Sequence, residues 1–247
     1  MFAGARRHDL EDPRAAAAGL PTAGRLHAVH DRYLVEIVEQ LGLCPFARRS
    51  REQGRVHRPL QHVLRDDDDQ LASSTARWLQ SIVATHDDAE ILLPTFVFAR
   101  AHRHHDAESF AGFVSQLRLA YDDTGAPGFF MVAFHPGFAP PATPHRRSSP
   151  ETLVPLLRRT PDPVIQCVRI DVLERARVVA QQSAMTRLRD RFAGDTVMLA
   201  MLERSVQADS ELSAEIARTN FDAVGAGDGR AELERRIASI LTERAAL

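Results

Sequence analysis

Ile91-Leu92-Leu93-Pro94-Thr95-Phe96-Val97-Phe98-Ala99 is an apolar run rich in branched and aromatic side chains, with no alternation of polar and apolar positions. A strand covered on both faces reads this way. Pro94 has no N–H to give to a ladder, so it belongs near the strand start or at an edge. A second run of the same kind, FFMVAF at 129–134, is ended by His135-Pro136-Gly137. Between the two, Asp106 suits a helix N-cap, and Phe110, Phe113, Val114, Leu117 and Tyr121 recur at helical spacing. Working upstream, Leu71, Thr75, Trp78, Leu79 and Ile82 form another helical stripe behind an acidic start at 66–69. Before that, Val56, Arg58, Leu60 and Val63 give a weak strand over 55–64. The succession is βαβαβ. It predicts an α/β fold, in two or three layers around a small sheet that is mostly parallel or mixed.

The flanks add helices. Val29, Tyr33, Leu34, Ile37, Val38 and Leu41 predict one over 29–41, with Gly42 as the left-handed residue that closes it. Pro45 suits the first turn of the next helix, which makes Cys44 its N-cap. The proline-rich stretch 136–163 contains one short helix starting at Ser149-Pro150-Glu151. Asp162-Pro163 is read as the start of an amphipathic helix carrying Ile165, Val168, Val172, Leu173, Ala176 and Val179. Further helices are expected at about 184–205, 208–220 and 230–245. Residues 1–25 lack sustained periodicity and are expected to form a mobile tail, leaving 26–247 as a single α/β domain with a helical C-terminal extension.

Composition excludes several chemistries. All 31 basic residues are Arg, so neither a Schiff-base lysine nor a phosphate-loop lysine exists here. A net charge of -2 gives no global attraction to nucleic acid or to an anionic membrane, and neither is expected as a partner. No apolar run reaches transmembrane length, and basic residues, acidic residues and Pro13 interrupt the N-terminus before a signal-type apolar region develops. Two distant cysteines, Cys44 and Cys167, make neither a disulfide framework nor a four-thiolate zinc site. The expected location is cytoplasmic. His102, His104, His105 and Asp106 lack helical metal-pair spacing and read as a solvated turn. Ala226-Gly227-Asp228-Gly229 has no strand before it and is not a dinucleotide fingerprint. No cofactor and no metal is assigned.

The candidate site follows from position. His135 stands at the carboxyl end of a buried strand, where α/β sheets place ligands, and is a candidate general base or metal ligand. Cys44, followed by Arg48, Arg49 and Arg51, is a candidate nucleophile or redox thiol. Arg159, just ahead of an expected helix N-terminus, is a candidate clamp for an anion. Alternatively Cys44 is a small buried residue, His135 locks a turn, and Arg159 ties a loop to backbone carbonyls.

Leu43-Cys44-Pro45-Phe46-Ala47, Ala133-Phe134-His135-Pro136 and Arg159-Thr160-Pro161-Asp162-Pro163 occur here in this order. The set resembles a bacterial family, domain of unknown function number 1415. In that family the third motif reads more like Arg-Ser-Pro-Tyr-Pro, and a His often stands where Gln166 stands here. The resemblance implies no activity. Two functions follow from the residues. One is an enzyme with Cys44 and His135 as catalytic groups, and Arg159, Gln166 and Arg48 holding a small anionic substrate. The other is a non-catalytic binding or assembly module in which these motifs fix loop geometry. The first requires Cys44, His135 and Arg159 to share one pocket.

Overall fold

The computed structural model describes residues 4–10, 12–44, 46–66, 68–138, 150–191, 216, 220–225 and 227–247. Its centre is a mixed six-stranded sheet. The apolar run at 91–99 forms two strands, β3 (Ile91–Leu92) and β4 (Thr95–Phe98), rather than one. Pro94 breaks the ladder but does not leave the sheet, since its carbonyl accepts the Ile165 N–H at 3.0 Å. On one side, β2 (Val56–Val63) pairs in parallel with both pieces. Beyond it, β1 (Ala5–Leu10) adds a parallel edge strand. On the other side, β6 (Val164–Arg169) runs antiparallel to β3 and β4, and β5 (Phe129–Phe134) runs antiparallel to β6.

Helices cover both faces. On one face lie α3 (Asp68–Thr85) and α4 (Ala107–Asp122), packed through Leu79, Phe110, Phe113 and Leu117 onto Phe96, Ile165 and Cys167 of the sheet. Burying each such side chain contributes about 1.5–3 kcal/mol. Asp106 caps α4 as expected, accepting the Ser109 N–H at 2.7 Å. The other face carries α1 (Ala23–Tyr33), α2 (Ala47–Glu52), α5 (Pro150–Leu157) and α7 (Gly227–Ala245). Ile37, Leu153, Leu156, Leu233 and Ile237 form one cluster there. Leu26 joins Leu60 and Val97 to seat α1 on the sheet. Between β6 and the C-terminal helix runs α6 (Ile170–Arg191).

Four expectations change. The helix expected to begin at Asp162-Pro163 is a strand over its first turns: Val164–Arg169 is β6, and α6 starts only at Ile170. Ile165 and Cys167 face α4, while Val164, Gln166 and Val168 face the opposite side. A strand apolar on both faces imitates a helical stripe over so short a run. The stretch read as a mobile tail contains β1, whose Ala5 to Leu10 pair residue by residue with Val56 to Gln61. The helix expected over 29–41 begins earlier, at Ala23, and its second half is π-helical over Leu34–Glu39. There Gln40 N–H reaches the Val35 carbonyl at 2.9 Å and Leu43 N–H reaches Val38 at 3.0 Å. Cys44 does not cap a helix, because α2 starts at Ala47 and Phe46 takes the N-cap position. The expected helical residues 192–215 and the loop residues 139–149 lie outside the described residues.

Candidate functional site

The described residues do not fill the face of the sheet opposite α3 and α4 over β5 and β6. Phe130, Val132 and Phe134 alternate outward from β5, and Gln166 and Val168 do so from β6. The π-helical segment, α5 and the start of α6 stand around them, leaving a mostly apolar cleft of about 380 Å³. A smaller cavity of about 70 Å³ adjoins it toward α1. Cys44, Gln166, Tyr33, Val38 and Phe134 line both. A π-helical bulge often marks a functional position, and here it shapes the wall between the two spaces through Val38.

Cys44 is delivered to this wall by Gly42, whose φ of 65° turns the chain out of the π segment. The residue is half-buried, but its Sγ is enclosed, and burial pushes the thiol above its ordinary range. Hydrogen bonds from the backbone N–H groups of Phe46 and Ala47 offset part of that rise. Gln166 Nε2 lies 4.0 Å from Sγ. The arginines after Cys44 do not activate it. Arg48 donates to the Glu39 carbonyl at 3.3 Å, and Arg51 pairs with the Glu39 carboxylate at 2.6 Å, so both tie α2 to the end of the π segment.

His135 and Arg159 lie near each other but line neither cavity. His135 is 1% exposed. Its Nδ1 accepts the Gly137 N–H at 2.9 Å, which fixes the proton on Nε2, and Nε2 donates to the His104 carbonyl at 3.1 Å. Its own N–H donates to the Arg158 carbonyl at 2.9 Å. Both ring nitrogens thus hold a turn, and burial lowers the pKa of the ring. Arg159 Nε donates to the Pro136 carbonyl at 3.3 Å across the same turn. No helix N-terminus stands beside it, because the following element is β6. The structure therefore brings Cys44 and Gln166 together and does not bring His135, Arg159 or Arg48 to them.

The residue that sequence reading missed is Arg158. It lines the larger cleft, half-buried, and no hydrogen bond or ion pair engages its guanidinium among the described residues. Burial lowers its pKa, and no neighbouring charge among the described residues compensates. The signal was available: Val154, Leu157 and Arg158 stand three and four apart and share one face of α5. A second missed group is Asp162, 4% exposed, which receives His30 Nε2 at 3.0 Å and Arg244 Nε at 2.8 Å. Burial alone would raise this carboxyl, but the His30 and Arg244 hydrogen bonds outweigh it and hold it below its ordinary range. This trio, with His30 and Asp162 buried and Arg244 partly so, joins α1, the approach to β6 and α7 behind the smaller cavity, which His30 also lines.

His102, His104 and His105 serve the chain itself. His102 Nε2 donates to the Arg65 carbonyl at 2.9 Å, His105 Nε2 to the Ala99 carbonyl at 2.9 Å, and His104 Nδ1 meets Ser109 Oγ at 3.2 Å. Among the described residues, no helix is long and apolar enough to cross a membrane.

No curated protein and no solved structure matches the chain. Residues 26–190 match the family described as "Protein of unknown function (DUF1415)". That match covers more than half of the 247 residues and includes every motif and side chain named for the cleft except those from the C-terminal helices. The chain belongs to the DUF1415 family.

Proposed function

We propose that the protein binds a small organic anion in the larger cleft, with the apolar body against β5 and α5 and the charged head on Arg158. One observation carries this reading. A guanidinium held half-buried in an apolar cleft, with no counter-charge among the described residues, loses hydration and regains nothing from those residues. A carboxylate or phosphate would restore the balance through a two-pronged hydrogen bond. Gln166 supplies a neutral donor deeper in the cleft, beside Cys44. The free thiols and the absence of a disulfide among the described residues suit a reducing cytoplasm. In this reading neither nucleic acid nor membrane is a partner.

Calorimetric titration tests the proposal. Medium-chain and arylalkyl carboxylates and phosphate monoesters are compared with the matching neutral alcohols. The anions should bind at least about tenfold more tightly than the alcohols, a difference of about 1.4 kcal/mol. Arg158→Gln should remove that preference while the alcohols bind as before. Equal affinity for anions and alcohols sinks the proposal.

A second reading, an enzyme with Cys44 as nucleophile, draws on the place of Sγ at the junction of the two cavities beside the Phe46 and Ala47 N–H groups. His135 and Arg159 take no part in it, because their polar atoms are engaged with backbone.

A further inference from the structure

On the sheet face away from the cleft, three histidines from distant parts of the chain meet. His8 comes from β1, His57 from β2, and His86 from the turn after α3. In the parallel β1–β2 register Arg6 stands opposite His57, so His8 is its diagonal neighbour on the same face. The rings of His8 and His57 stack with centroids 5.0 Å apart, and His86 lies 4.7 Å from His57 and 5.4 Å from His8. Each ring offers one nitrogen to a common space, and the three nitrogens lie within 4.8 Å of one another. Among the described residues no carboxylate belongs to this set, although Asp9 acts on His8 and Asp88 on His57 by charge.

The protein leaves this cluster only partly satisfied. His8 Nε2 and His57 Nδ1 approach to 2.8 Å and share one hydrogen bond. His57 is 0% exposed, and its Nε2 is buried with no hydrogen-bond partner among the described residues. A buried ring nitrogen without a partner is uncommon and costly. His86 Nδ1 accepts from Arg6 Nη1 at 2.8 Å, so its lone pair points outward to a cation that the chain itself supplies. Once the proton shared by His8 and His57 moves to an outer ring nitrogen, the three imidazoles present three converging lone pairs, one already holding a cation, which match the donor set of a divalent zinc-type ion.

We propose that His8, His57 and His86 form a binding site for one zinc-type divalent cation. Three imidazoles and one open position is a common zinc arrangement. Tetrahedral coordination with bonds of about 2.0–2.1 Å needs ligand nitrogens about 3.3 Å apart. The observed contacts bracket that spacing, so ring rotations of about 1 Å complete the site. His8 and His86 are half-buried at the sheet edge, which gives the ion a route in and leaves the fourth position to water. Arg6 is exposed and releases His86 when the ion takes the same lone pair. The ion would fasten the edge strand β1 to β2 and to the end of α3. It lies on the opposite face from Arg158, so it does not depend on the ligand proposed for the cleft.

The experiment uses untagged full-length protein, stripped with a chelator and titrated with Zn²⁺ by calorimetry. Co²⁺ serves as an absorbance probe of tetrahedral nitrogen coordination. One ion per chain should bind, with Tm rising on addition of Zn²⁺ and falling back with excess chelator. His8→Gln and His86→Gln, both at half-buried positions that leave the core intact, should each weaken binding at least about tenfold. Arg6→Gln should strengthen it, because the competing guanidinium is gone. Absence of one-to-one binding overturns the proposal. So does binding that is undiminished in both histidine variants, which would mean that others of the 11 histidines hold the ion.

Discussion

Gln166 Nε2 sits 4.0 Å from Cys44 Sγ across 122 residues of sequence, on the wall that divides the two cavities. The contact exists because β6 is a strand. With period two, Ile165 and Cys167 take the α4 face and hand Gln166 to the cleft. The pairing makes a specific prediction. Gln166→His would place an imidazole beside the thiol and favour the thiolate through charge. The iodoacetamide reaction of Cys44 at pH 7 should quicken by about tenfold, which corresponds to about one unit of thiol pKa. An unchanged rate would show that the two side chains do not interact in solution.

In the unaltered protein, Cys44 should behave as a slow thiol. Burial holds its pKa above the ordinary value, so the thiolate fraction stays small at neutral pH and grows only above the range in which a free cysteine ionises. Its alkylation rate should still be climbing at pH 9, and Cys167, buried in the α4-facing core, should react only on unfolding. A plateau in the Cys44 rate by pH 7 would instead mark an activated nucleophile and favour the enzyme reading.

Arg158 also has a stability signature. A cation in an apolar cleft with no partner among the described residues is destabilising, and an apolar replacement of similar length removes that cost. Arg158→Met should therefore raise Tm, by about 2–4 °C for each kcal/mol recovered in a chain of this size. The same substitution should abolish the preference for anions. A fall in Tm would mean that Arg158 holds the fold together rather than waiting for a ligand.

The sheet was legible in the sequence where burial was two-sided and the flanking helices were strongly periodic, as at Phe96, Phe110 and Phe129. It was misread at Ile165 and Val168, where a doubly buried strand and a helical stripe place apolar residues alike. The edge strand at Ala5–Leu10 was missed because its side chains are mostly polar and its stability comes from backbone pairing with β2. That error carried into the site. Taking 164–169 as a helix gave Arg159 a helix N-terminus that does not exist. It also hid the alternation that turns Gln166 toward Cys44. Arg158 needed only the helical phase of α5, but its neighbour Arg159 stood inside the more conspicuous motif.

Edge pairing over Ala5–Leu10 predicts that this segment matters. Gly4 approaches so closely that a Cβ there would collide with the Arg51 carbonyl oxygen, and its φ of 96° is unfavourable for other residues. Deleting residues 1–10 should lower Tm by several degrees and expose β2 as a new edge. Thermal unfolding by circular dichroism measures the first effect and light scattering the second. An unchanged Tm would return the segment to the status of a dispensable tail.

The last prediction concerns Asp162. Its carboxylate is charged in the folded state, with Arg244 contributing the compensating charge and His30 a hydrogen bond. Asp162→Asn keeps the shape and removes the charge, leaving Arg244, itself largely enclosed, without its counter-ion. Breaking a buried pair by removing one partner costs about 3–5 kcal/mol, so the variant should lose roughly 6–20 °C in Tm at the conversion given above. The pH dependence has a definite sign. The folded pKa of Asp162 lies below its unfolded value, so its contribution is present at neutral pH and lost as pH falls through the carboxylate range. His30 and His135 are also lowered, each because burial disfavours the charged ring. Unfolded histidines take up protons near pH 6.5 while these do not, so stability begins to fall below that point and the carboxylate adds its loss further down. Tm measured from pH 8 to pH 2 should therefore decline in two stages, and Asp162→Asn should flatten only the lower one. If Asp162→Asn flattens the upper stage and spares the lower, the trio is not charged as described.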